Sequence, residues 1–200
     1  MIGKKTWMIL AAILSVVFAP ACRNFGQVNQ GRVIRYDQAR GLITLIQDSN
    51  YKQPGNPRFD VLPPITIKIP DDPKEMGPAP EAGELLRFDT ENRRVVVFDP
   101  ATEGFKTISY TLLAEDKGIS KDDARVAGVK FPIVDRQKKT VTLYSARERK
   151  LVTFTVPEEK FDLPDDTWKA GDIVRYYYKQ PDQALRLMNV TRTDITKGGK

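Results

Sequence analysis

The side chains that could do chemistry in this 200-residue chain are few in kind, because it has no histidine and a single cysteine, Cys22. Without histidine there is no Ser-His-Asp or Cys-His nucleophile, no imidazole metal ligand and no ordinary general base near neutral pH. One thiol excludes a thiolate zinc site and an internal disulfide. Catalysis would have to rest on carboxylates, lysine or tyrosine. The acidic groups are Asp71-Asp72, Glu158-Glu159, and Asp162 with Asp165-Asp166. Paired carboxylates can hold Ca²⁺ or act as a glycosidase acid and base. These have no D-x-D-x-D-G spacing and fall in polar stretches between strand patterns, so they read as solvated loops. We expect no enzyme, no metal and no cofactor.

Basic and aromatic residues offer a second possibility. Arg136, Lys138 and Lys139, then Arg147, Arg149 and Lys150, lie near Tyr144 and the run Tyr176-Tyr177-Tyr178. Tyr144, Arg147, Arg149, Arg175, Tyr176 and Tyr178 form the candidate ligand surface, suited to an oligosaccharide or small anion. The bland alternative is charged turns and strand edges that discourage aggregation. Gly83 and Gly171, each followed by an acid and apolar residues, lack the remainder of a phosphate loop and read as turn glycines with positive φ. Arg87 and Arg175 hold equivalent positions before an aromatic residue and read as structural.

The N-terminus is an address. Lys4-Lys5 precede the uncharged run Trp7–Ala19, and Ala19-Pro20-Ala21-Cys22 follows. That run is short of the roughly 20 residues that cross a bilayer, and Pro20 breaks a helix before the small residues of a cleavage site. Ala-x-Ala fits ordinary signal peptidase. Small residues before cysteine also resemble the bacterial lipobox, with Ala19 where leucine is usual. A lone thiol in an oxidising compartment is a liability unless it is lipidated, so Cys22 is the expected lipidation site. Membrane attachment through that lipid and an envelope protein partner are expected, on the periplasmic side, with a soluble periplasmic or secreted form as the alternative. The net charge of +6 includes Lys4 and Lys5; so small an excess on an exported chain points to anionic lipid or glycan, not nucleic acid.

Strand patterns must position these groups. Alternating β-branched and aromatic residues recur at 32–36, 42–47, 65–69, 85–89 and 94–98, and again at 130–134, 140–144, 151–156, 173–178 and 185–190. The two sets align. Asp37-Gln-Ala-Arg-Gly-Leu-Ile-Thr-Leu matches Asp135-Arg-Gln-Lys-Lys-Thr-Val-Thr-Leu without a gap. Ile65–Pro70 matches Val152–Pro157, and Ala82–Phe88 matches Ala170–Tyr176, with an insertion at 47–61 of the first half. The expected fold is all-β, as two tandem five-stranded OB/SH3-like barrels related by an internal repeat, with a single β-sandwich as the competitor. The expected bounds are a signal at 1–21, a tether at 22–30, barrels at 31–98 and 129–192, a linker at 99–128 and a flexible tail at 193–200. The linker carries an extra strand at 105–111 and a short helix at 120–125.

The turn aspartate, Phe154-Thr-Val-Pro157 and Ala170-Gly-Asp-Ile-Val-Arg-Tyr176 resemble small OB-like modules of exported bacterial proteins. With the Cys22 leader, the whole chain resembles an uncharacterised family of bacterial envelope lipoproteins known chiefly from sulfate reducers. That resemblance implies no activity and transfers no catalytic residue.

Overall fold

The computed structural model describes residues 25–53 and 55–193; the leader, Cys22 and the tail from residue 194 lie outside the described residues. The architecture is all-β, in several sheets. The strands are β1 (Gln27–Asp37), β2 (Leu42–Asp48), β3 (Phe59–Lys68), β4 (Leu85–Asp89), β5 (Arg94–Asp99) and β6 (Gly104–Ser109). They continue with β7 (Thr111–Lys117), β8 (Ile133–Asp135), β9 (Thr140–Ser145), β10 (Lys150–Thr155), β11 (Ile173–Gln180) and β12 (Gln183–Asn189). β6 lies where one extra strand was expected in the linker, and β7, directly after it, is a second strand that the sequence reading did not include. The helix expected at 120–125 is not: the Asp123 carboxylate accepts the Arg125 N–H, which turns the backbone instead.

One local device builds the tight hairpins. Asp37, Asp89 and Asp135 each accept, through a side-chain oxygen, the main-chain N–H three residues ahead, at 2.9–3.0 Å. Ser145 does the same at 3.2 Å. The next residue then takes positive φ: Gly41 at 64°, Arg93 at 52°, Lys139 at 53° and Arg149 at 54°. Short polar side chains satisfy the turn amide, and the left-handed residue returns the chain into the partner strand.

The internal repeat holds in its strand registers, except at a bulge in β4 that leaves Leu86 without a β5 partner, where its equivalent Val174 pairs with Asn189. Asp37 pairs with Leu42 and Tyr36 with Ile43, as Asp135 pairs with Thr140 and Val134 with Val141. Thr44 pairs with Thr66 and Thr142 with Thr153, and both hydroxyl pairs are 2.9 Å apart. Arg87–Val96 and Phe88–Val95 recur as Arg175–Met188 and Tyr176–Leu187.

The two halves do not close on themselves. A closed ring runs β1-β11-β12-β3-β2, so three strands from 31–98 are completed by the final hairpin of 129–192. The ring closes through one parallel pair, Gln183 with Lys68. Reciprocally, the hairpin β4–β5 extends through β6 and packs on the sheet β7-β10-β9-β8. Where tandem barrels would each use their own strands, this chain exchanges its hairpins. Equivalent positions nonetheless fill equivalent cores. Ile43, Leu45, Ile67, Tyr176 and Leu187 fill the ring. Val141, Leu143, Phe154 and Val95 fill the second unit, with Phe88 packed against them. Because the two hairpins carry aligned patterns, composition alone does not assign each to its own unit. Ile46 and Phe59 on the ring pack against Leu86 and Phe98 of β4–β5 and join the units.

The exchange requires the two connections to cross, and they cross at the repeat's own glycines. A Cβ on Gly171 would lie 1.8 Å from the Val33 carbonyl oxygen and 2.9 Å from the Gly83 nitrogen; one on Gly83 would lie 2.3 Å from the Lys169 oxygen. Neither glycine has positive φ. The expectation of turn glycines is therefore corrected: both are required for close backbone approach. Val33 N donates to Asp172 O at 2.9 Å and Gly83 N to Val33 O at 3.2 Å across the same point.

Candidate binding cleft

The exchange leaves a cleft of ≈ 1060 Å³ between the ring and the second unit, at the upper end of the range for small-molecule sites. Arg32 on β1 and Phe59 on β3 form one wall; β4 runs along the floor; Phe131 and the end of β9 with its turn form the other wall. Trp168 lies directly behind this lining, in the core of the second unit. Phe131 lies 5.9 Å from Tyr144, ring to ring.

Arg32 is the unusual residue of this cleft. It is half-buried, and its guanidinium carbon lies 4.5 Å from the centre of the Phe59 ring. One Nη donates to Leu85 O at 2.9 Å, but Nε is shut from solvent without an acceptor. Burial pulls Arg32 down to about 10, against Asp172 and Asp48, which favour its charge. Trp168, with no exposed surface, carries the same defect at Nε1. Buried donors without acceptors are rare and costly.

Some of the other charges here are paired, whereas Arg87, Glu91 and Arg147 line the cleft and make no ion pair among the described residues. Arg58 lies 3.6 Å from Asp60, Arg94 3.0 Å from Asp89 and Lys150 3.3 Å from Glu148. Burial works against the Asp89 carboxylate, but the Asn92 main-chain and side-chain N–H groups and Arg94 outweigh it and hold Asp89 at about 2. Cations and carboxylates alternate along the walls, so the cleft offers mixed polar contacts over an aromatic surface and no strong field of one sign.

The residues expected to form one ligand surface are divided. Tyr144 and Arg147 line this cleft. Tyr144 also donates its hydroxyl to Ile119 O at 3.1 Å. Arg149 instead donates to Gly118 O at 3.0 Å and ties its hairpin to the end of β7. Arg175 lies on the ring's exterior, in a separate groove of ≈ 680 Å³ with Val28, Tyr177, Leu185 and Arg186, and donates to Gln30 Oε1 at 3.0 Å. Tyr176 points inward and is 2% exposed. Burial pushes it up to about 12, with a weak opposing hydrogen bond from Gln47. Tyr178 donates to Gln27 Oε1 at 2.9 Å. The strand period separates Arg175 from Tyr176, because successive side chains face opposite sides of a sheet. Arg32, Phe59 and Trp168 were missed by sequence reasoning; the signals available were a cation opening the first strand pattern, an aromatic within the insertion at 47–61 and another just before the Ala170 block.

The acidic loops are also occupied. Asp71 pairs with Lys68 at 2.6 Å, Asp165 with Arg136 at 2.7 Å, and Asp72 accepts the Lys74 N–H at 2.9 Å. No group of three or more His, Cys, Asp or Glu that could hold a metal gathers among the described residues.

No curated protein and no solved structure matches the chain. A family model does match residues 24–198. With that match spanning nearly the whole sequence, the chain belongs to the family described as Domain of unknown function (DUF4881).

Proposed function

We propose that this protein is a non-enzymatic envelope component, exported and tethered through a lipid on Cys22, that acts by holding a partner protein in the cleft between its two units. The observation that carries this reading is the cleft itself: an aromatic surface with charges of both signs along its walls is suited to an extended polar chain. Its carboxylates Asp89 and Glu148 are engaged by cations, which favours fixed charge over proton transfer. The tether rests on the leader, in which Lys4-Lys5, the apolar run and Ala19-Pro-Ala-Cys22 stand in the order of a lipoprotein signal. In this reading the ring is an OB-like barrel, the second unit is its opened copy, and the family is one of periplasm-facing lipoproteins of the sulfate-reducer type.

Expression of the full chain in a lipid-modifying bacterial host tests the tether. Intact mass should carry the added acyl groups on the N-terminal cysteine, and Cys22→Ser should release the protein from membranes. An unmodified Cys22 thiol would reject the tether. Crosslinking in envelope fractions, followed by mapping of the crosslinked residues, tests the partner. Crosslinks should concentrate at the cleft.

A second reading, an oligosaccharide site, is favoured by the Phe131–Tyr144 pair on the cleft wall. Titration with soluble glycan oligomers, followed by Trp168 fluorescence, separates the two.

A further inference from the structure

The comparison between the two units shows what the cleft is missing. In the ring, the first half of β1 pairs with β11, from Gln27–Tyr178 to Arg32–Ile173. Because β4 is the repeat equivalent of β11, a second unit built the same way would pair a strand with β4. Carrying the alignment of Asp37 on Asp135 back along the chain, that strand would be 125–130. Those residues do not supply it. Asp123 accepts both the main-chain and guanidinium N–H groups of Arg125, at 2.7–3.0 Å, and Val126 is buried within a turn. β8 is left with three residues where β1 has eleven. Among the described strands β4 therefore pairs only with β5.

The open edge is bounded. At one end Leu85 donates its N–H to Lys169 O and accepts from Arg32. At the other, Thr90 donates to Glu148 and accepts from Lys150, at 2.8 and 2.7 Å. Between these ties, Leu86–Asp89 faces the cleft, with the end of β9 opposite. At roughly 3.3 Å per residue this admits about four residues of extended chain.

We propose that this edge is a strand-addition site: an extended segment of a partner polypeptide pairs with β4 at Leu86–Asp89 and completes the second unit as β1 completes the ring. The proposal rests on the protein-interaction reading above and names its site. Edge addition draws affinity from main-chain hydrogen bonds and specificity from alternate side chains. The ring specifies one of those side chains. Its inserted strand passes Leu45 with Gly31, where a Cβ would lie 2.3 Å from a Leu45 methyl. Leu143 holds the place of Leu45, so the partner segment carries glycine or another small residue facing Leu143. Because the flanking charges are balanced, the segment needs no strong net charge.

The test uses the full chain with two probes: a displayed library of random dodecapeptides, and a synthetic heptapeptide of Gln27–Val33, the segment that fills the equivalent slot. Amide exchange and chemical shifts locate binding. Selected peptides should be enriched in a small residue within an apolar, uncharged context and compete with the heptapeptide. They should also slow exchange of amides in Leu86–Asp89 at least tenfold. Ala146→Trp places a bulky group at the exposed mouth of the cleft, on a hairpin turn where folding tolerates it, and should weaken binding at least tenfold. Failure to enrich any peptide, binding that leaves the β4 amides unchanged, or indifference to Ala146→Trp overturns the proposal. So does protection of β4 by glycan oligomers in place of peptides. If envelope crosslinks form equally well with Ala146→Trp, the interaction reading survives and the strand-addition site does not.

Discussion

Replacing Gly171 by alanine tests the crossing on which the hairpin exchange depends. The new Cβ would lie 1.8 Å from a main-chain oxygen, Val33 O, and not from a side chain that could rotate away. Restoring ordinary contact requires a relative movement of more than about 1 Å between β1 and the strand leading into β11. The hydrogen bonds Val33 N to Asp172 O and Gly83 N to Val33 O span the same gap, and both lengthen or break. Buried groups left without partners cost about 1–3 kcal/mol each, and forced overpacking typically costs 1–3 kcal/mol. A loss of about 3–5 kcal/mol follows, which for a protein of this size lowers Tm by roughly 10–15 °C. Urea denaturation, followed by Trp168 fluorescence and far-ultraviolet circular dichroism, measures it. Gly104→Ala is the control, since its nearest neighbour would be 3.5 Å away and its φ is not positive; it should change stability by less than about 0.5 kcal/mol. If Gly171→Ala costs under about 1 kcal/mol, the backbone approach is looser than described and the account of the crossing fails.

Lys139 stands at positive φ where its repeat equivalent is Gly41; Lys139→Gly should stabilise by about 0.5–1 kcal/mol, read as a rise in denaturation midpoint. Trp168 buries an indole N–H without an acceptor, so Trp168→Phe exchanges lost contacts for a relieved donor and should stay within about 1 kcal/mol of the parent. Trp168→Ala should lose about 3–5 kcal/mol; equal losses for the two would show that the indole N–H is satisfied in solution. Asp89 and Glu81 are both held at about 2, below the ordinary carboxylate range; Lys169 and Arg192 hold Glu81 down. Folded-state values below the unfolded ones stabilise the protein above about pH 4.5, and that contribution is lost as pH falls toward 2. Asp89→Asn, which keeps an acceptor for the turn amide, should flatten the acid limb of a stability–pH curve.

Much of this fold was legible because its signals are local. Period-two alternation marked the strands, and aspartate four residues before a left-handed position marked the turns. The repeat was also readable, since its registers follow from blocks such as Thr44/Thr142 and Thr66/Thr153. The short helix at 120–125 failed for a local reason too: Asp123 binds the Arg125 amide more readily than it caps a helix.

The candidate site was less legible. Tyr144 and Arg147 do reach the cleft, but Arg175 and Tyr176, adjacent in sequence, separate to the outside and inside of the ring. Arg32 and Trp168 acquire their unpaired donors only through neighbours distant in the chain, Leu85 and Phe59 for Arg32 and the second-unit core for Trp168.

By itself the sequence determined most of the strands, their turns and the repeat, because propensity, alternation and turn chemistry act within a few residues. Tertiary structure alone decided which hairpin completes which unit. The two hairpins carry aligned strand patterns that do not by themselves assign each to a unit; the connections that cross at Gly83 and Gly171 and the chain between β5 and β8 do. That choice closes one unit, leaves the edge of β4 open in the other, and makes the cleft.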